Sequence, residues 1–131
     1  RILEQSPEVM QEVSTLVIQA QSDLYEVRKM IHKIGFFIEN EKFCMDAGKP
    51  YLVMRAVRGE EKTPYEPAEH EYGRLLPEVS DTAYRKFLLD ERDKKMKLQE
   101  TLNMQKTSGA GARVEELTEE ITGLNWILNK F

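Results

Sequence analysis

The chain has 131 residues, of which 40% are apolar and 32% are charged, and its formal net charge is −4. Because the apolar share is lower and the charged share higher than in ordinary globular domains, the composition favours one elongated helical domain. No stretch approaches the roughly 18 consecutive apolar residues of a membrane helix, so we expect no membrane partner and an intracellular location, cytoplasmic or nuclear. The single cysteine, Cys44, excludes an internal disulfide and fits a reducing compartment.

Proline and glycine placement divides the chain into three regions. Four of the five prolines fall in the middle of the sequence, whereas residues 8–34 and 78–108 contain neither proline nor glycine. Both residues are poorly tolerated inside helices, so this distribution predicts long helices on either side of an irregular insert. The predicted regions are a long heptad-patterned helix over 1–43, a Pro-rich insert over 44–79, and a C-terminal helical region over 80–131 that is broken at 108–111.

Apolar residues of the N-terminal region alternate in steps of three and four, which predicts a packed helical seam. The seam residues from position 13 onward are Val13, Val17, Ala20, Leu24, Val27, Ile31, Ile34 and Ile38. Leucine is absent from the heptad positions where parallel two-stranded coils prefer it, so a helical bundle is favoured over a simple zipper. Gly35 lies beside the seam, where it predicts either a kink or the close approach of another helix.

The insert contains the only β-like run of the chain, from Tyr51 to Val57. A lone strand or hairpin there would be marginal unless it packs on the helices or pairs with another chain. Further on, Pro67 to Tyr72 is predicted to form one helical turn. The tyrosines make the insert a candidate recognition surface, and the alternative is that they attach it to the bundle. The partner-binding candidates here are Tyr51, Tyr65 and Tyr72.

The last region carries a second seam, with β-branched residues and leucine at alternating core positions, which suits a parallel dimer. Its members are Val114, Leu117, Ile121, Leu124 and Leu128. The alternative is a helix that folds back on the first helix within one chain. Trp126 falls opposite this seam, which makes it a further candidate for partner binding, unless the helix packs on two faces and Trp126 belongs to the core.

Signals for chemistry are weak. His32 is predicted to face solvent, and a nucleophile pair with Cys44 would need coincidental folding. His70 lies among Glu66, Glu69 and Glu71, where a carboxylate–histidine metal site is conceivable, but a solvated acidic turn is the favoured interpretation. No glycine-rich phosphate loop or paired-cysteine zinc pattern is present. We therefore predict no catalytic residue, no metal and no cofactor.

The sequence thus predicts an all-α fold: an elongated helical bundle or coiled coil with a long N-terminal helix, a mostly irregular insert with room for a short β-strand or hairpin, and two C-terminal helices. The predicted function is a non-enzymatic protein–protein interaction and oligomerisation module, acting as a scaffold or complex subunit and forming homo- or hetero-oligomers through its helices. The alternative is a nucleic-acid-associated viral or phage assembly protein. Because the bases of segment 90–97 are matched by interleaved acids, we do not expect nucleic acid as a partner.

Overall fold

The computed structural model describes residues 14–105 and 110–131. The chain divides into two compact units, one that ends at Leu76 and one that runs from Pro77 to Phe131. The first unit is built on a β-sheet and the second consists of helices. No helix of the described part is long and apolar enough to cross a membrane.

The sheet of the first unit has three antiparallel strands in the order β1-β3-β2. Strand β1 spans Thr15–Ala20, β2 spans Phe36–Asp46 and β3 spans Lys49–Arg58. Each strand contains β-branched residues, aromatic residues or both, and such side chains suit a pleated surface. Strands β2 and β3 form a hairpin whose two turn residues, Ala47 and Gly48, both have positive φ, at 51 and 79°. Positive φ at both positions matches the twist of a two-residue hairpin.

A β-bulge interrupts the pairing of β2 with β3. Ile38 lies opposite Ala56 and Asn40 lies opposite Arg55, so one extra residue separates the two pairs. Side chains alternate between the faces of a strand, and the extra residue therefore shifts this alternation by one. As a result Ile38 and Glu41, three positions apart, are both buried.

Three helices complete the first unit: α1 (Leu24–Lys33), α2 (Pro67–Tyr72) and α3 (Leu75–Glu78), the last of which reaches across the unit boundary. Helix α1 packs on β2 and on α2. A capping box between Glu66 and Glu69 starts α2, with proline at its first position. The apolar core of this unit contains Ile31, Phe36, Ile38, Leu52, Met54, Ala56, Tyr65 and Leu76.

The second unit is an antiparallel pair of helices, α4 (Thr82–Gln105) and α5 (Ala110–Leu128). Buried residues of both helices form its core, namely Tyr84, Leu88, Ala110, Leu117, Leu124 and Ile127. Polar contacts also link the helices: Lys95 Nζ lies 3.2 Å from Glu120 Oε2, and Arg92 Nη1 donates to Asn125 Oδ1 at 2.9 Å. Arg92 precedes Lys95 on α4, whereas its partner Asn125 follows Glu120 on α5, as an antiparallel arrangement requires.

The predicted all-α bundle is wrong, because a three-stranded antiparallel sheet occupies much of the first unit. The predicted long N-terminal helix is also wrong. The described part of the 1–43 region contains β1, the ten-residue helix α1 and most of β2. A turn at Gly35, where φ is +87°, separates α1 from β2. The β-like run Tyr51–Val57 lies within β3, and the two C-terminal helices occupy the region in which the sequence predicts them.

Candidate functional site

A buried ion pair joins α1 to β2. The side chains of Arg28 and Glu41 are both fully buried, and Arg28 Nε donates to Glu41 Oε1 at 2.7 Å. Arg28 Nη1 also donates to the backbone carbonyls of His70 and Glu71, at 2.7 and 2.9 Å. A buried charge is tolerated only when it is paired and hydrogen-bonded in this way. One guanidinium therefore fixes the end of α2 against α1 and the sheet.

A second arginine holds the segment before α2. Arg74 Nε donates to Glu69 Oε2 at 2.8 Å. Its Nη1 and Nη2 donate to the carbonyls of Thr63 and Pro64, at 2.8 and 2.7 Å, and the guanidinium carbon lies 4.1 Å from the centre of the Tyr65 ring. The hydrogen bond to Glu69 raises the pKa of Arg74 above its usual value. Arg74 thus keeps Tyr65 in a fixed position.

The two histidines of the chain meet beside this ring. His32 Nδ1 of α1 lies 3.3 Å from His70 Nε2 of α2, and His32 Nε2 lies 3.5 Å from Glu61 Oε1. The Tyr65 ring lies edge-on to His32 at 4.7 Å and is tilted against His70 at 5.2 Å, measured between ring centres. A carboxylate and two imidazoles therefore form a continuous row.

Burial keeps both imidazoles neutral. It lowers the pKa of His32, and although Glu61 opposes this shift, Arg74 and Arg28 add to it. Burial also lowers the pKa of His70, and the neighbouring His32 and Lys29 act in the same direction. At neutral pH each ring consequently has one N–H and one lone pair, and across the 3.3 Å between His32 Nδ1 and His70 Nε2 one ring donates to the other.

The histidines line an open cleft of about 510 Å³, here called the α1–α2 cleft. Its lining residues are Lys29, His32, Lys33, Phe36, Glu60, Glu61, Pro64, Tyr65 and His70. Within residues 14–105 and 110–131, no group of three or more His, Cys, Asp or Glu side chains is arranged to hold a metal ion. The cleft lies at the amino end of β2, whereas β1 ends at Ala20, opposite Leu52 near the start of β3. The cleft and the carboxyl end of β1 are therefore at opposite ends of the sheet.

The structure divides the predicted N-terminal seam among three elements. Val17 lies on β1 and is 71% exposed, while Ile31 of α1 and Ile38 of β2 are buried in one core. Leu24, Val27 and Ile34 lie on α1 or at its end and are half-buried, and Val13 lies outside the described residues. A continuous helical seam through these residues is therefore wrong.

The predicted C-terminal seam lies entirely on α5. Leu117 and Leu124 are fully buried in the second unit. Val114, Ile121 and Leu128 are half-buried. The leucines are thus already packed within one chain, and an oligomeric role for this set stays a prediction.

The partner-binding candidates do not come together. Tyr51 is half-buried on β3, Tyr65 is buried in the α1–α2 cleft, and Tyr72 is half-buried at the end of α2. Trp126 of α5 is 36% exposed, with Lys130 Nζ 4.6 Å from its ring centre. Their role in partner binding stays a prediction.

Sequence reasoning missed most of the polar side chains that meet between α1, α2 and the sheet. The side chain of His32, predicted to face solvent, is only 20% exposed. His70, interpreted as part of a solvated acidic turn, is half-buried against His32. Arg28 and Glu41 carry no motif that marks them as buried. The available signal was Pro67 at the start of the short helix, which correctly placed α2 but not its contacts.

The fold is similar to that of several solved structures. A protein of the NADB-Rossmann superfamily from Streptococcus agalactiae matches with a TM-score of 0.79 and 21% identity, covering 97% of this chain and 53% of that one. The M1A22 tRNA methyltransferase TrmK of B. subtilis matches with a TM-score of 0.78 and 19% identity, over 97% and 56%. M. capricolum TrmK, solved with S-adenosyl-homocysteine, matches with a TM-score of 0.77 and 16% identity, over 98% and 55%. The chain thus spans slightly more than half the length of these structures, and its fold is similar to the part of each that it covers.

Residues 1–125 match the TrmK family, described as tRNA (adenine(22)-N(1))-methyltransferase. The chain belongs to this family. A search among curated proteins finds no match.

Family membership corrects the functional predictions. A family of methyltransferases consists of enzymes, so the predictions of a non-enzymatic scaffold, of a coiled-coil oligomerisation module and of a viral or phage assembly protein are wrong. The expectation that nucleic acid is not a partner is wrong as well, because the family is described by a tRNA substrate. The matched charges of segment 90–97 misled this expectation, since they describe one helix surface and not the whole protein.

Proposed function

We propose that the protein that carries this chain methylates N1 of adenine 22 in tRNA, with S-adenosylmethionine as the methyl donor. The observation that carries this proposal is the family match over residues 1–125. The similar folds of the B. subtilis and M. capricolum enzymes support it. A tRNA substrate also implies that the protein acts inside the cell.

The described residues do not fit the methyl donor. In doubly wound sheets an adenine nucleotide or nucleoside lies outside the carboxyl ends of parallel strands, next to a glycine-rich turn. All strand pairs of the described part are antiparallel, and the turn after β1 reads Gln21-Ser22-Asp23. The α1–α2 cleft lies at the other end of the sheet from this turn. We therefore assign no donor contact and no step of methyl transfer to these residues.

The chain itself supplies candidate contacts to the tRNA backbone. With a net charge of −4, attraction to RNA must come from local groups of basic side chains. Lys29 and Lys33 are both exposed and lie one helical turn apart on α1, at the rim of the α1–α2 cleft. Residues four apart share one face of a helix, so this pair can contact neighbouring phosphates.

Methylation is tested with the purified full-length protein, an unmodified tRNA transcript and S-adenosylmethionine carrying a labelled methyl group. Methylation at N1 blocks the base-pairing edge of adenine, so we expect both label incorporation and a stop of primer extension at position 22. The control transcript carries guanosine at that position and should remain unlabelled. Label incorporation that is equal in both transcripts, or absent from both, would overturn the proposed reaction.

The proposed role of the two lysines is tested by tRNA binding at several salt concentrations. Lys29→Gln with Lys33→Gln should weaken binding and reduce the slope of log K against log salt by about 0.7 to 0.9 for each phosphate that the protein no longer neutralises. The matched control replaces Lys42 and Lys49, two exposed lysines on the β2–β3 hairpin. Equal effects of the two double variants would remove the α1 pair from the interface and leave the proposed reaction untouched.

A further inference from the structure

The facing nitrogens of the two histidines have the separation of two ligands of one metal ion. Around a tetrahedral ion with metal–nitrogen bonds of about 2.0–2.1 Å, two ligand nitrogens lie about 3.3–3.4 Å apart. His32 Nδ1 and His70 Nε2 are 3.3 Å apart. The rings meet at 68° with their centres 5.4 Å apart, so they are not stacked.

The surroundings of the pair also resemble those of a metal site. Metal-binding histidines commonly direct their other ring nitrogen at a carboxylate, which orients the ring and makes the ligand nitrogen more basic. His32 Nε2 lies 3.5 Å from Glu61 Oε1 and has no full hydrogen bond. Glu61 is itself held, because it accepts from the backbone N–H of Ile38 at 3.3 Å. A cation on the far side of His32 would strengthen the contact between this ring and Glu61.

We infer that His32 and His70 form a binding site for a divalent transition metal ion of the Zn²⁺ class, with Glu61 orienting His32. Imidazole nitrogens suit zinc, copper and nickel and are poor ligands for Mg²⁺. The protein supplies two ligands, and the open α1–α2 cleft leaves the remaining positions to water or to an oxygen of a bound molecule. The two histidines lie at the opposite end of the sheet from the carboxyl end of β1.

The chain offers a clean measurement, because it contains only two histidines. In a Zn²⁺ titration of the 131-residue chain, followed by NMR of the imidazole nitrogens and carbon-bound protons, we expect both rings to shift together and to saturate at one ion per chain. Mg²⁺ at the same concentrations should leave both sets of signals unchanged. Shifts at different Zn²⁺ concentrations, or equal shifts with Mg²⁺, would overturn the site.

Three variants complete the test. His70→Asn should weaken Zn²⁺ binding more than about tenfold and abolish the His32 shift at concentrations that saturate the wild type. Glu61→Gln, which keeps the shape of the side chain, should weaken binding about tenfold. Cys44→Ser should bind as the wild type does, because Cys44 pairs with Tyr51 near the hairpin turn, at the other end of the sheet. Circular dichroism verifies that each variant folds. Loss of binding in Cys44→Ser, or unchanged binding in both other variants, would refute the assignment.

Discussion

Replacing Gly73 by alanine should destabilise the first unit through two separate effects. Gly73 has a φ of +96°, a conformation that costs other residues of order 1–3 kcal/mol. An alanine Cβ would also meet the Glu41 carboxylate and lie 3.0 Å from Arg28 Nη2. The added methyl group would push these buried charges apart, and a hydrogen bond between charged groups contributes about 1.5–3 kcal/mol. The expected loss in the free energy of unfolding is therefore about 2.5–6 kcal/mol.

Two other glycines isolate the second effect. Gly35 and Gly48 also have positive φ, at +87 and +79°, but a Cβ at either position would meet nothing within 4 Å. Alanine there carries only the backbone cost, so Gly73→Ala should exceed both controls by about 1.5–3 kcal/mol. Urea unfolding followed by far-ultraviolet circular dichroism measures the three variants under identical conditions. Equal losses at all three positions would refute the clash with the ion pair.

Three further outcomes are expected from the same unfolding measurement. Arg28→Met should lower the free energy of unfolding by about 3–5 kcal/mol, because it leaves Glu41 buried without its partner. The double variant with Glu41→Leu should recover most of that loss. A double variant as unstable as the single one would contradict this. Leu124 is fully buried, so Leu124→Ala should lower the free energy of unfolding by about 2–5 kcal/mol. Leu98 is 42% exposed, so Leu98→Ala should lower it by less than about 1 kcal/mol. Similar losses in the two variants would disprove the assigned core. Trp126→Ala should cost less than about 1 kcal/mol, and iodide should quench the indole in the wild type; a protected indole with a large stability loss would place Trp126 in the core.

The N-terminal half shows why heptad spacing failed as a predictor. Ile31 and Ile38 are seven residues apart and both buried, but one lies on α1 and the other on β2, with a turn at Gly35 between them. A run of closely spaced β-branched residues satisfies a step of three or four by chance. The better signal was residue type, because valine and isoleucine favour strands over helices.

The C-terminal half could be predicted more fully. Helix α4 lacks proline and glycine, and its acids precede bases by four residues, as from Asp90 to Lys94. Such local terms act within one helix and do not depend on the rest of the fold. Local sequence therefore suffices to place α4, although the contact of Arg92 with Asn125 on α5 depends on how the helices pack.

The candidate site depends almost entirely on tertiary structure. His32 and His70 are 38 residues apart in the sequence, and Arg28 and Glu41 are 13 apart and on elements of different type. No local periodicity brings such pairs together, because their proximity follows from how α1 packs on β2 and α2. An arginine in a helix is normally assigned to the surface, and only the fold shows that Arg28 has partners for its donors inside the protein.

The bulge in β2 has a consequence for how the length of the chain can vary. Two residues, Glu39 and Asn40, separate Ile38 from Glu41, but only Arg55 lies opposite them. Deletion of Glu39 would remove the extra residue of the bulge and leave a regular strand. Ile38 and Glu41 would still lie on the same face, because both already pair with β3 in the register that a strand without the bulge would have. Deletion of one residue elsewhere in the strand would move the side chains on one side of the deletion to the opposite face of the sheet. Position 39 is thus a place inside a strand where one residue can be removed while the buried ion pair is kept.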